Sequence, residues 1–243
     1  MSNQLDKETL LEYLRSLRLL ASPIIATDGR ATVLDLSVGS RLRGREINNL
    51  GVAEFSDLID EVMRDADTDF AFGRYAEPRE LYSNENFAGN ETSENRTIHM
   101  GLDLFCAADT PVHAPLDGTV ALLENNARDL DYGPMVVLRH ATDTGQVFYT
   151  LYGHLGLDTL KAIEQGQEVR AGEQIATVGS PPHNGNWPPH LHLQLILDLM
   201  SLDADFPGVA CKSKQDYWLT LSPSPAVFFP QYDAKSLEYP PCN

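Results

Sequence analysis

The stretch His190 Leu191 His192 Leu193 Gln194 Leu195 alternates polar and apolar residues without a break. That is the period of a half-buried strand. Leu191, Leu193 and Leu195 therefore face a core, while His190, His192 and Gln194 share the other face. Two imidazoles at i and i+2 on a rigid strand converge on one region of space, which suits a metal ion or a polarised substrate group. The plain alternative is a strand whose polar face happens to carry two histidines.

The text around this strand is also β in character. Short β-type runs separated by Gly and Pro occur at Pro111 to Ala114, Val120 to Leu123, Met135 to Arg139, Val147 to Leu151 and Ile175 to Gly179. They predict a mainly β fold, a compact antiparallel sheet or sandwich core over residues 96–200. Residues 1–95 read as an α+β region of two helices and a hairpin. Leu10, Leu11, Leu14, Leu17 and Leu20 mark a helix from Lys7 to Leu20, and Phe55, Leu58, Ile59, Val62 and Met63 mark a second. Ile24 to Ala26 and Thr32 to Leu36 flank an Asp-Gly pair suited to a tight hairpin turn. Residues 68–95 read as a loop or linker lying over the next domain. The prolines of residues 201–243 predict an irregular C-terminal wrap.

A formal charge of −17, spread along the chain, argues against nucleic acid as a partner, which requires clustered Lys and Arg. No window approaches the apolar length of a membrane span, so no membrane partner is expected. The residues after Met1 lack the basic start and apolar run of a signal peptide, which predicts a cytoplasmic location. Cys106, Cys211 and Cys242 form no CxxC pair and leave an odd count, so a disulfide framework is not expected, and Cys106 reads as core.

His99 and Asp103 lie four residues apart in His99 Met100 Gly101 Leu102 Asp103 Leu104, an even offset that puts both on one face of a strand. Gly101 is where such a strand would bend to bring them together. With His192 the set becomes two imidazoles and one carboxylate, three ligands that suit Zn²⁺ with a fourth position left for water. Such an ion lowers the pKa of water to about 7 and polarises a carbonyl. His190 and His154 stand where either could donate to an oxyanion or relay a proton.

These residues resemble the M23 zinc metallopeptidases of the lysostaphin and LytM type. The chain matches their HxxxD at His99 and Asp103, YxHL at Tyr152 to Leu155 and HLH at His190 to His192, in that order, within a similarity covering about Thr97 to Leu197. The resemblance implies that His99, Asp103 and His192 hold zinc, that His154 and His190 are the catalytic histidines, and that a peptide or small amide is hydrolysed by a metal-activated water. Two positions depart from the pattern. A Pro-rich loop, Ser180 to Pro189, replaces a short Gly/Ser turn, and Gln194 stands where Glu is usual. The groove wall is therefore expected to differ, with His183 and Trp187 either lining it or simply held in a rigid loop. His113 and His140 read as structural or as partners that fix a ligand's tautomer.

The tail is similar to M23-like modules within larger multidomain proteins. A non-catalytic binding or regulatory module on the same scaffold is the alternative function. A lipoyl or biotinyl carrier is disfavoured because no Lys sits at a hairpin tip. The N-terminal region precedes His99 directly, and it is expected to cover the groove as pro-segments do in some relatives.

Overall fold

The computed structural model describes residues 6–17, 22–27, 29–81, 94–202 and 206–240. In chain order the elements are α1 (Lys7–Ser16), β1 (Thr32–Leu34), β2 (Arg41–Leu42), β3 (Arg45–Glu46), α2 (Val52–Asp65), β4 (Ala71–Gly73), β5 (Arg96–His99), β6 (Leu102–Phe105) and β7 (Pro111–His113). There follow β8 (Gly118–Asn126), β9 (Gly133–Ala141), β10 (Val147–Gly153), α3 (Thr159–Ala162), β11 (Glu168–Val169), β12 (Gln174–Thr177), β13 (His190–Ile196), β14 (Val209–Cys211), α4 (Gln215–Leu221) and α5 (Ala234–Leu237). The fold is mainly β. No helix among the described residues is long and apolar enough to cross a membrane.

One sheet dominates, in the order β1-β4-β6-β13-β10-β9-β8-β11. The β1–β4 pair is parallel and every other neighbour is antiparallel. β13 sits near its centre. Leu191 and Leu193 are fully buried with Leu102, Leu104, Val136 and Leu138 in the main core, as the alternation requires. Polar-face residues of β13 are buried too, because other chain segments cover that face.

α2 forms where Phe55, Leu58, Ile59 and Met63 recur at helical spacing, and all four are buried. The Gly51 N–H donates to the Glu54 side chain at its start. Its apolar face packs with Leu34, Leu36, Ala71 and Phe105 into a second core. α1 is capped by the Asp6 carboxylate, which accepts from the Thr9 N–H at 2.9 Å, and buries Leu10, Leu11 and Leu14 against Phe148 and Leu195. It ends at Ser16, and Leu20 of the anticipated helix lies outside the described residues.

The N-terminal hairpin does not form. Thr32–Leu34 pairs in parallel with Ala71–Gly73 instead of folding back on Ile24–Ala26, since the sheet edge offers Leu34 complete burial. Asp28 of the anticipated turn lies outside the described residues. The expected linker is likewise structured in part. Gly73 ends β4, and residues 76–79 then run beside β5, with Ala76 N–H to His99 O at 2.9 Å and His99 N–H to Glu77 O at 3.0 Å. Residues 82–93 of it lie outside the described set. The tail carries β14 and α4 between its prolines, with Phe206 fully buried. Cys106 is buried and, like Cys211, free; Cys242 lies outside the described residues.

Candidate metal centre

His99 and Asp103 do not share one bent strand. The chain breaks at Met100–Gly101, so His99 ends β5, which pairs with β14, and Asp103 lies in β6, which pairs with β13. Gly101 serves space as well as bending. A Cβ there would run into Cε1 of His192 and lie 2.8 Å from the Leu193 carbonyl.

The register sets Gly73, Asp103, His192 and Gly153 in one row across β4, β6, β13 and β10. Glycines thus stand on both sides of the Asp103–His192 pair. Beside Gly153 the vacated space holds the ring of Tyr132, 2.6 Å from where a Cβ would sit. Beside Gly73 it holds the guanidinium of Arg79.

Three donor atoms meet at this row. His99 Nε2 lies 3.0 Å from His192 Nδ1 and 3.1 Å from Asp103 Oδ1, and His192 Nδ1 lies 3.1 Å from the same oxygen. The partners of the opposite ring nitrogens assign the tautomers. His99 Nδ1–H donates to the Arg74 carbonyl at 2.9 Å. His192 Nε2–H donates to Gln194 Oε1 at 3.1 Å, an orientation fixed because the Gln194 amide donates to Pro207 O and Ser222 Oγ. Each imidazole therefore turns a bare nitrogen toward a carboxylate oxygen. Three lone pairs about 3 Å apart with no proton between them repel unless a cation sits among them. The donor set of two imidazoles and one carboxylate fits Zn²⁺. Among the described residues, His99, Asp103 and His192 form a buried group able to hold a metal ion.

The other two histidines flank it. His190 Nε2 is 3.8 Å from Asp103 Oδ1, and its Nδ1–H donates to Pro188 O at 2.7 Å. His154 Nδ1–H donates to Asn184 O at 2.9 Å, and its ring centroid is 4.3 Å from that of His190. Both keep a bare Nε2. His154 holds a left-handed backbone (φ 62°), costly for a non-glycine residue, enforced by bonds from its N–H to Tyr132 O and from the Gly179 N–H to its carbonyl.

Burial sets the charge state. Desolvation pushes the His99 pKa down to about 4, helped by the Arg79 charge and opposed by Asp103. Burial lowers His154 well below the usual histidine value, with the neighbouring His190 and His192 imidazoles adding to it. His190 is lowered by burial against the pull of Asp103. Burial works to raise Asp103, yet its contacts with the His99 imidazole and the Arg79 guanidinium outweigh it and hold the carboxyl well below the usual range. Neutral imidazoles beside an ionised carboxylate are the forms that bind metal.

A narrow pocket opens on this centre, walled by Phe105, Trp187 and Pro188 and, from the N-terminal part, by Leu36, Phe55 and Leu81. Trp187 thus lines the site, with its ring 6.1 Å from His154, whereas His183 is exposed and outside the wall. His140 bonds Asp117 O and Thr150 Oγ1 rather than any residue of the centre, and His113 belongs to β7. Arg79, Glu77 and Asn184 were assigned no role at the site from the sequence. Arg79 and Glu77 lie far upstream of the motifs, and no local pattern marks them.

The sequence comparisons agree with this geometry. Residues 97–204 match the model of Peptidase family M23. An uncharacterized metalloprotease of Haemophilus influenzae is 35% identical over 115 residues, 46% of this chain and 22% of that protein. The murein hydrolase activator NlpD of Salmonella dublin is 32% identical over 111 residues, 46% of this chain and 25% of that protein. Among solved structures, a zinc-containing peptidase from Vibrio cholerae is 27% identical, covering 46% of this chain and 31% of that one, at a TM-score of 0.34. The chain spans about a quarter of the length of the curated relatives it matches. The HxxxD, YxHL and HLH motifs all fall inside the matched span: residues 97–204 are a domain of peptidase family M23.

Proposed function

We propose that this chain is a zinc-dependent peptidase in which His99, Asp103 and His192 hold the ion and His154 and His190 handle protons. The convergence of three unprotonated donors on one point, each fixed by its own outer partner, is the observation that carries this reading. When bound, Zn²⁺ supplies a Lewis acid that polarises the scissile carbonyl and brings water toward a pKa of about 7. The bare Nε2 of His154 and His190, neutral because burial disfavours their cations, can take the proton that an attacking water gives up. The imidazolium so formed donates to the developing oxyanion and returns the proton to the leaving amine. Phe105, Trp187, Leu36 and Phe55 give the pocket an apolar wall, and a wall of low polarity strengthens each of these interactions.

The test is metal content and hydrolysis together. The protein is expected to carry about one zinc per chain, and His192→Ala is expected to lose it; full retention of zinc by that variant would mean the ligand set is misassigned. His154→Ala should keep the metal and lose turnover on glycyl or D-amino-acyl peptides by 10²–10⁴-fold.

A second reading is a non-catalytic regulatory module, favoured by the similarity to a murein hydrolase activator. The presence of all five site residues favours the enzyme. A chelator-sensitive peptidase activity separates the two, since a regulatory module cuts no peptide with or without metal.

A further inference from the structure

Arg79 lies outside the family-matched span, in the segment that runs beside β5, yet its guanidinium reaches the metal centre. Its Nη1 donates to Asp103 Oδ2 at 2.6 Å, and its Nε donates to Glu77 Oε2 at 2.9 Å. Arg79 is 2% exposed and Glu77 is fully buried. Glu77 Oε1 in turn accepts from Arg74 Nε and from the Leu36 N–H. The space for this fork comes from Gly73, where a Cβ would lie 2.6 Å from Arg79 Nη2 and 3.2 Å from Asp103 Oδ2. A buried charge network with a glycine cleared for it is a built feature, because a buried ion left unpaired is strongly destabilising.

We propose that Arg79 is a positioning residue that occupies one oxygen of Asp103 so that the carboxylate meets the metal through the other oxygen alone. This rests on the assignment of Asp103 as a ligand. A free carboxylate can chelate a cation with both oxygens, but Oδ2 is committed to a strong charge-assisted bond while Oδ1 faces the two imidazoles. The guanidinium also draws negative charge away from the carboxylate. Asp103 becomes a weaker donor, and the bound ion stays more electrophilic and keeps an open position. Glu77 orients Arg79 from behind. The N-terminal part thereby supplies an electrostatic component of the centre that the M23 span does not contain.

The experiment loads the full chain, wild type and Arg79→Met, with Co²⁺ and with Zn²⁺, and records the visible cobalt spectrum, metal content and peptidase kinetics. Arg79→Met is expected to bind about one metal per chain. Its cobalt band should weaken and move to shorter wavelength as Asp103 becomes bidentate and coordination number rises. Turnover should fall 10- to 100-fold with KM little changed. Gly73→Ala, which keeps Arg79 but pushes its guanidinium aside, should reproduce the spectral change. If Arg79→Met does not fold because the buried Oε2 of Glu77 loses its Arg79 partner, Glu77→Gln with Arg79→Met removes both charges and carries the same measurement. A folded variant with the wild-type cobalt spectrum and turnover overturns the proposal. A wild-type protein that binds neither metal overturns the ligand assignment itself, and so is distinguishable.

Discussion

Three lone pairs held about 3 Å apart are the most demanding feature of this protein at the scale of single residues, and every neighbour of the three donors serves to keep them there. Gly101 is the tightest of those neighbours. Replacing it by Ala puts a methyl group into both the His192 ring and the Leu193 carbonyl, and neither can withdraw without breaking β13. Gly101→Ala is expected to cost about 1–3 kcal/mol of stability and to lower zinc affinity at least tenfold, measured by thermal melting and by competition with a chromophoric chelator. Unchanged affinity would mean that the His192 ring is not fixed by this contact. That His99, Asp103, His154, His190 and His192 belong together was legible in the sequence, because they sit in short motifs with fixed spacing, and the structure brings their side chains to one place. Arg79 and Gly73 were not, since their role arises only when β4 is laid beside β6, a pairing that no local pattern announces.

Helical periodicity correctly marked α2, and its packing predicts its worth. Leu58 is fully buried between the helix and the second core, so Leu58→Ala is expected to destabilise the fold by about 2–5 kcal/mol, read from denaturant titration. The alternation of β13 was equally plain. The partner of β1 was not, because three residues such as Thr32–Leu34 pair with whichever edge buries them best, and an Asp-Gly pair nearby in the sequence cannot decide it. The β9–β10 pair carries a further consequence. His140 opposes Phe148 in the register and stacks on its ring, with its nitrogens on Asp117 O and Thr150 Oγ1. Burial pushes its pKa down to about 4. A histidine lowered in the folded state binds a proton more readily when unfolded, so its contribution is complete above pH about 6.5 and is lost as pH falls toward 4. His140→Gln is expected to flatten that part of the stability profile by on the order of 2–3 kcal/mol, compared with wild type in metal-free buffer. A profile of unchanged slope would place the acid sensitivity in the other buried histidines.

At the scale of the whole molecule, the N-terminal part is tied into the sheet that bears the centre. β1 and β4 extend the eight-stranded sheet, β4 pairs directly with the strand of Asp103, and Leu36, Phe55 and Leu81 wall the pocket. A pro-segment that merely covers a groove can be removed and leaves a complete domain behind it. Removing residues 1–95 here would strip β6 of a neighbour and leave Leu102–Phe105 as an exposed apolar edge, a template for aggregation. It would uncover the Phe105 side of the second core and delete Arg79. The truncated chain is therefore expected to aggregate or melt well below the full protein, and to show no gain in peptide hydrolysis, as followed by size-exclusion chromatography, thermal melting and turnover on small peptides. A soluble monomer of residues 96–243 with zinc bound and raised activity would show instead that the N-terminal part is a cover, and that the sheet stands without β1 and β4.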